Sequence, residues 1–456
     1  MTEYDVLVIG SGSGARIAER ALREGLKVAI IDRGPLGGTC MNVGCVPSKM
    51  LIFPADRVME IRESGMLGVN AHIDGIDFAD IMERMRHGVR NRRRAFERNL
   101  HSADRLTVYE SDARFVDERT LEVEEERVRG EKVFVVSGAR PVVPPIDGLD
   151  SVDYLTNESV LELEKRPESV VIVGGGYIGV EYAHFLSAMG VEVALIEMGD
   201  RLVPAEERSA SELLERRLSE RMTVLTNTTV TSVGRDKDGI IARSESEGGE
   251  EGTHRATHLM LAVGRRSNAD ILDVEKGGIE TDERGYITVN ERLETSAERV
   301  WSFGDAIGRA MFTHAANREA VIAWYNATHD EPIEMDYSSV PHAVFSWPQI
   351  ASVGLTELEA REKGLDYLVG ELGYSAVTKG EAMRASDGFA KALVERGTRR
   401  IVGFHIAGPY APILIQEVVD VMADRGTVDD ITTAIHIHPA LPELIVDALE
   451  SLTEPE

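Results

Sequence analysis

The chain holds two cysteines, Cys40 and Cys45, both within the stretch GGTCMNVGCVPSKM. Two sulfurs five positions apart can make a reversible disulfide, supply part of a metal site, or pack inertly as small hydrophobes. On a regular helix, five residues at about 100° each set the two side chains roughly 140° apart. A bridge therefore requires Cys40 on a distorted turn ahead of the helix, with Gly44 helping the bend. Strain of that kind suits a bond that is made and broken. A rival arrangement joins the pair to His436 and His438 as a Cys2His2 zinc site. A structural disulfide framework is not expected from two cysteines in a chain of 456 residues.

The elements that must position this motif are announced by an internal repeat. Val6 to Asp32, VLVIGSGSGARIAERALREGLKVAIID, resembles Val170 to Glu197, VVIVGGGYIGVEYAHFLSAMGVEVALIE. Each copy reads strand, glycine turn, amphipathic helix, strand, acid. Gly10, Gly12 and Ala15 fit the pattern in which the first glycine makes a tight turn, the second admits a pyrophosphate, and a small third residue lets the helix pack closely. Gly174, Gly176 and Gly179 repeat it. The helix that follows offers unpaired N–H groups to phosphate. Asp32 and Glu197 then stand where a carboxylate accepts from an adenosine ribose. One such match is weak, because glycines also serve plain tight packing; two in the same strand–helix context predict two dinucleotide sites.

Around these units, residues from about Pro54 to Leu100 read as helices, and the basic run Arg90, Arg92, Arg93 and Arg94 as a solvated helix face. Leu106 to Val136 read as short strands, Gly138, Pro141 and Pro144 end regular structure, and a boundary is expected near Asp150. LMLAVGRRSNAD closes the second unit, VWSFGDAIG is a strand returning to the first, and residues from about Tyr337 mix strands and helices. A chain of this length exceeds one hydrophobic core. The net charge of −28 argues against nucleic-acid and anionic-membrane partners. MTEYDVLVIG carries no leader-like pattern and no apolar run approaches bilayer length, so a cytoplasmic location is expected.

GGTCMNVGCVPSK is similar to the active-site signature of the class I pyridine nucleotide–disulfide oxidoreductases, which include dihydrolipoamide dehydrogenase, glutathione reductase, mycothione reductase and mercuric reductase. VSGARP, GGGYIGVEYA, LAVGRRSNAD, the FGD containing Asp305, VFSWPQIASVGLTE and HIHPALPE extend the resemblance over essentially the whole chain. It implies an α/β fold: two Rossmann-like dinucleotide-binding domains plus an α+β carboxyl-terminal dimerisation domain. The expected division is 1–149 for FAD, 150–265 for NAD, 266–336 as a central segment returning to the FAD domain, and 337–456 as the interface domain of a homodimer. It implies Cys40 as the interchange thiol, Cys45 as the thiolate facing the flavin, and Lys49 near flavin N5, paired with Glu181. Asp305 would bond the ribityl chain; Gly38, Thr39, Gly138, Gly264 and Thr313 would contact cofactor, and Tyr177 would be an aromatic lid over the nicotinamide. His438 and Glu443 would be base and orienting acid, since dithiol exchange needs a proton acceptor and a carboxylate fixes the imidazole tautomer. His436 stays outside the site.

No cysteine follows Cys45, so the second redox pair of mercuric and large thioredoxin reductases is missing and Cys40 must meet a small or flexible substrate directly. After the second β-run stand Glu197, Met198 and Pro204 rather than arginines; a carboxylate repels a 2′-phosphate and binds a 2′-hydroxyl, favouring NAD over NADP, with Arg201 as a softening neighbour. NAD points to dihydrolipoamide dehydrogenase, whose partner is a lipoyl domain of a 2-oxoacid dehydrogenase or glycine cleavage system. HPALPELIVDAL, GRRSNAD and AMRASDGFAKAL look closer to mycothione reductase and similar low-molecular-weight disulfide reductases, the alternative reading.

Overall fold

The computed structural model describes residues 1–237 and 239–455. It divides into two compact units, one formed by 1–50, 82–142 and 264–335, the other by 51–81, 143–263 and 336–456.

The first unit is built on a sheet in which Leu106–Tyr109, Val28–Ile31, Thr2–Ile9 and Glu126–Val135 lie side by side and parallel. Val300–Ser302 also pairs with Glu126–Val135 in parallel, as expected of a returning strand. Val6, Leu7, Val8 and all of Val28–Ile31 are buried without alternation, the signature of a parallel sheet covered on both faces. Helix Ala15–Arg23 connects the first two strands. Antiparallel Ala113–Asp117 and Thr120–Val123 extend the other edge.

In the second unit the parallel order is Thr223–Leu225, Glu192–Ile196, Ser169–Val173, His258–Leu261, with helix Tyr177–Ala188 connecting the central pair. That helix is buried from Gly179 to Ala188, so its apolar stripe is unusually broad. The remainder carries a five-stranded antiparallel sheet ordered His342–Val344, Ile350–Gly354, Ile401–Ala407, Phe389–Glu395, Tyr367–Gly373. Helix Ala411–Ala423 packs against it through Leu414, Ile415 and Val418. No helix among the described residues is long and apolar enough to cross a membrane.

The two glycine turns are sterically alike. Gly10 and Gly174 have φ of +105° and +107°, and an added Cβ would lie 2.1 Å from the Val136 carbonyl oxygen and 2.5 Å from that of Ala262. At Gly179 an added Cβ would fall 1.9 Å from the Gly174 oxygen, deep in the turn. Helix propensity favours alanine there by about 1 kcal/mol, but the overlap costs about 1–3 kcal/mol. Gly179→Ala is therefore expected to lower the thermal midpoint; a rise would show that the helix can back away from the turn.

Candidate active site

Cys40 lies on the short helix Gly38–Asn42, and Cys45 begins the long helix Cys45–Glu63. Between them Val43 leaves helical geometry at φ −139°, so the two sulfurs are not carried by one regular helix. Gly44 makes the fold-back possible, because a Cβ there would stand 3.0 Å from the Thr39 oxygen and 3.3 Å from Cys40 Cα. The Asn42 amide braces the short helix by donating to the Leu36 and Gly38 carbonyls, each at 3.0 Å. Both cysteines are free thiols, Cys40 half-buried and Cys45 exposed.

The pair divides its protons unequally. The Cys40 thiol donates toward Cys45, lowering Cys45 from an ordinary 9.0 to about 6; Thr313 and the Lys49 charge act in the same direction, and burial opposes them. Thr313 Oγ1 is 3.4 Å from Cys45 Sγ. Cys40 is pushed strongly up, first by that hydrogen bond, then by burial and by the charge on Cys45. At neutral pH the thiolate sits on Cys45, and Cys40 holds the proton that exchange chemistry has to remove.

At the two turns, each acid closes the loop in the same way. Asp32 Oδ2 accepts from Ser11 N–H at 2.7 Å and Oδ1 from Gly34 N–H at 2.8 Å. Glu197 Oε2 accepts from Gly175 N–H at 2.6 Å and Oε1 from Gly199 N–H at 2.7 Å. Each carboxylate is held as an acceptor with lone pairs to spare. Gly38, at φ +68°, faces Gly12 so closely that its Cβ would lie 2.8 Å from Gly12 Cα, a cradle open only because both are bare. Added Cβ atoms at Gly138, Gly176 and Gly264 would meet nothing within 4 Å. Bare glycines at helix starts, beside carboxylates held as acceptors, fit the adenosine and pyrophosphate parts of FAD and a nicotinamide dinucleotide. Asp305 lies 3.5 Å from Arg265 Nε; burial pushes its carboxyl up against the pull of that guanidinium.

His438 is exposed, and its Nδ1 lies 2.7 Å from Glu443 Oε1. Glu443 Oε2 accepts from Ala440 N–H at 2.9 Å, and His438 holds its carboxyl below the usual range. The acceptor on one side fixes the proton to Nδ1, so Nε2 carries the basic lone pair. His436 pairs instead with Glu417 at 2.6 Å. Glu181, buried, accepts from Phe345 N–H at 3.2 Å.

Some contributors were not visible in the residue pattern. Ala15 opens its helix, but the closest approach is at Gly14, whose Cβ would lie 2.2 Å from the Gly10 oxygen. The run GSGSGA offered that signal and the motif spacing passed over it. Ser11, which also bonds Asp32 through its hydroxyl at 2.5 Å, and the Thr313 contact to sulfur had no local signature.

Comparison with known proteins agrees with this geometry. Residues 4–320 match the profile of the pyridine nucleotide-disulphide oxidoreductases, and residues 340–449 match the dimerisation domain of the same group. Mycothione reductase of Mycobacterium tuberculosis is 36% identical, covering 99% of this chain and 100% of the relative. Dihydrolipoyl dehydrogenase of Bacillus subtilis is 33% identical, covering 98% of this chain and 96% of the relative. The HOCl-induced flavoprotein disulfide reductase RclA from Escherichia coli has a TM-score of 0.86 at 28% identity, with 98% and 99% of the two chains covered.

In the reduced protein, ultraviolet thiolate absorbance is expected to titrate with a midpoint near 6, from thiol below to thiolate above. Thr313→Val should move the midpoint upward, because the hydroxyl favours the charged form. A first midpoint at an ordinary cysteine value would contradict the proton assignment.

Proposed function

The chain belongs to the pyridine nucleotide-disulphide oxidoreductase family, and from that premise we propose that it oxidises a dihydrolipoyl dithiol with NAD⁺ through Cys40 and Cys45. The carrying observation is the asymmetry of the two sulfurs. In the oxidised, bridged form, an attacking substrate thiolate releases whichever sulfur is the better leaving group, and the lower pKa marks Cys45. Attack therefore falls on Cys40, which forms the mixed disulfide while Cys45 departs as the thiolate. The second substrate thiol closes on its own mixed sulfur, releasing the cyclic disulfide and a Cys40 thiolate that is reprotonated.

His438 takes the proton from the substrate dithiol at Nε2 and returns it to Cys40, with Glu443 stabilising the charged ring between the two events. In the proposed homodimer each Cys40 is served by the partner subunit's His438. Bound FAD supplies the two-electron link between the dithiol and the nicotinamide. Gly10, Gly12, Ala15, Asp32, Gly38, Thr39, Gly138, Asp305 and Thr313 would hold it, with Lys49, oriented by Glu181, beside its reactive ring. Gly174, Gly176, Gly179, Glu197 and Gly264 would hold NAD, with Tyr177 as lid. The four segments 1–149, 150–265, 266–336 and 337–456 are the proposed functional division, and a lipoyl domain is the proposed macromolecular partner.

A second reading, reduction of a low-molecular-weight disulfide such as mycothione, is favoured by the carboxyl-terminal HPALPELIVDAL. It uses the same residues in reverse. Steady-state rates with dihydrolipoamide and NAD⁺, set against mycothione and glutathione disulfide with NADH and NADPH, separate the two. We expect dihydrolipoamide to lead, and NADH to exceed NADPH by at least about tenfold in kcat/KM, equivalent to roughly 1.4 kcal/mol of differential binding. Preference for mycothione would replace the leading reading, and equal use of both nucleotides would refute the role of Glu197.

Cys40→Ser is expected to abolish dithiol turnover while leaving NADH-driven ferricyanide reduction in place. Mixed dimers of Cys40→Ser and His438→Ala chains should regain dithiol turnover, because one of their two sites inherits both intact residues. Inactive verified heterodimers would exclude a composite site.

A further inference from the structure

Tyr177 is the first residue of the helix that opens at the second glycine turn. Its hydroxyl donates to Glu206 Oε1 at 2.9 Å. Glu206 is completely buried, an expensive place for a carboxylate unless its lone pairs are filled. They are filled from several elements. Ser352 Oγ donates to Oε2 at 2.6 Å, and His342 Nε2 lies 3.2 Å from Oε1 while its ring stands edge-on to Tyr177. Burial pushes Glu206 up, but His342, Ser352 and Tyr177 outweigh it and hold the carboxyl below its usual range.

Hydrogen-bond direction extends the network one residue further. Ser352 has one proton, committed to Glu206, yet its oxygen is also 3.0 Å from Nδ1 of the buried His405. His405 Nε2 faces the Leu355 carbonyl oxygen at 2.9 Å, which can only accept. Both ring nitrogens thus face oxygen atoms, and His405 links Ser352 to the Leu355 carbonyl. Burial holds the His405 ring below its ordinary pKa, outweighing the opposing pull of Glu207, the Leu355 carbonyl and Glu206. Glu207 is itself paired with Lys391 at 2.9 Å and accepts from Glu357 N–H at 2.9 Å.

The loop that delivers Glu206 is itself tied to the glycine turn. Val203 donates to the Gly175 carbonyl oxygen at 2.9 Å and adopts φ +41°, a left-handed conformation that is costly for a β-branched residue. Glu206 N–H closes the same loop on the Val203 oxygen at 2.9 Å. The carboxylate is thus fixed to the nucleotide turn on one side and to strands Ile350–Gly354 and Ile401–Ala407 on the other.

We propose that Glu206 is a positioning residue for dinucleotide binding: it tethers the Tyr177 side chain at the mouth of the second glycine turn, and Ser352, backed by His405, braces its other carboxylate oxygen. The proposal rests on the reading of that turn as the nicotinamide nucleotide site. The tethered tyrosine is the form that a nucleotide must displace, so the tether weakens apparent affinity by the fraction of molecules in the displaced form.

The test titrates oxidised holoenzyme with NAD⁺ by calorimetry, in parallel with the maximal rate of NADH-driven ferricyanide reduction. Glu206→Leu and Tyr177→Phe should each tighten NAD⁺ binding by roughly three- to tenfold, and in Glu206→Leu the maximal rate at saturating NADH should hold within about twofold. The double variant should bind as either single variant does, because both remove one bond. Ser352→Ala should shift affinity in the same direction by a smaller factor. If Glu206→Leu is unstable, Tyr177→Phe, which loses only the hydroxyl, decides alone. Unchanged NAD⁺ affinity in Tyr177→Phe, or a Glu206→Leu effect that persists in the Tyr177→Phe background, overturns the tether. Gly176→Val fills the open space at the turn and isolates the underlying reading. Lost NAD⁺ binding there with silent tether variants rejects only the tether, whereas retained binding rejects the site and the proposal together.

Discussion

Two carboxylates, Asp32 and Glu197, each reach back from the end of one strand to the backbone N–H that follows the first glycine of the preceding turn. This contact holds a strand end, a glycine turn and a helix N-terminus in one geometry. It works only where the turn is bare, since a Cβ at Gly10 or Gly174 would collide with the neighbouring strand's carbonyl oxygen. The placement of Gly12 beside Gly38, and through Gly38 of the short helix with Cys40, follows from that packing in the first unit.

Within that frame the chemistry is a matter of where one proton resides. Two identical thiols would be equally poor as leaving groups and as nucleophiles. Thr313, Lys49 and the hydrogen bond from Cys40 break the symmetry, and all three favour charge on Cys45. The cost appears at Cys40, which becomes a reluctant acid. The base proposed for it is the partner subunit's His438, an imidazole whose Nδ1 faces Glu443 in this chain.

Much of this was legible in the residues because the governing interactions are local. Strand, glycine turn, helix and acid lie within about 25 residues, and their periodicity and spacing carry the geometry. The break between Cys40 and Cys45 was likewise implied by helical arithmetic and by Gly44, and the structure supplies it at Val43. Illegible were contacts between distant segments: Thr313 with Cys45, Ser352 and His405 with Glu206, and the inclusion of 51–81 in the second compact unit. Nothing in the run AEERSA distinguishes Glu206 from a solvated acid. Its burial is decided by strands 140 residues and more downstream, the separation to Ser352 being 146.

With its proposed role at the ribose, Glu197 would serve twice, which constrains how nucleotide preference can evolve. Replacing it with a cation that welcomes a 2′-phosphate would at one stroke remove the acceptor of the Gly175 and Gly199 amides. A lineage drifting toward the phosphorylated nucleotide would cross a valley of turn instability before reaching new specificity. The passable route begins elsewhere, with a substitution that offers those amides another oxygen, and only afterwards changes the charge. Selectivity at the proposed nucleotide site would thereby be historically sticky, because the residue proposed to read the ribose also holds its own loop together.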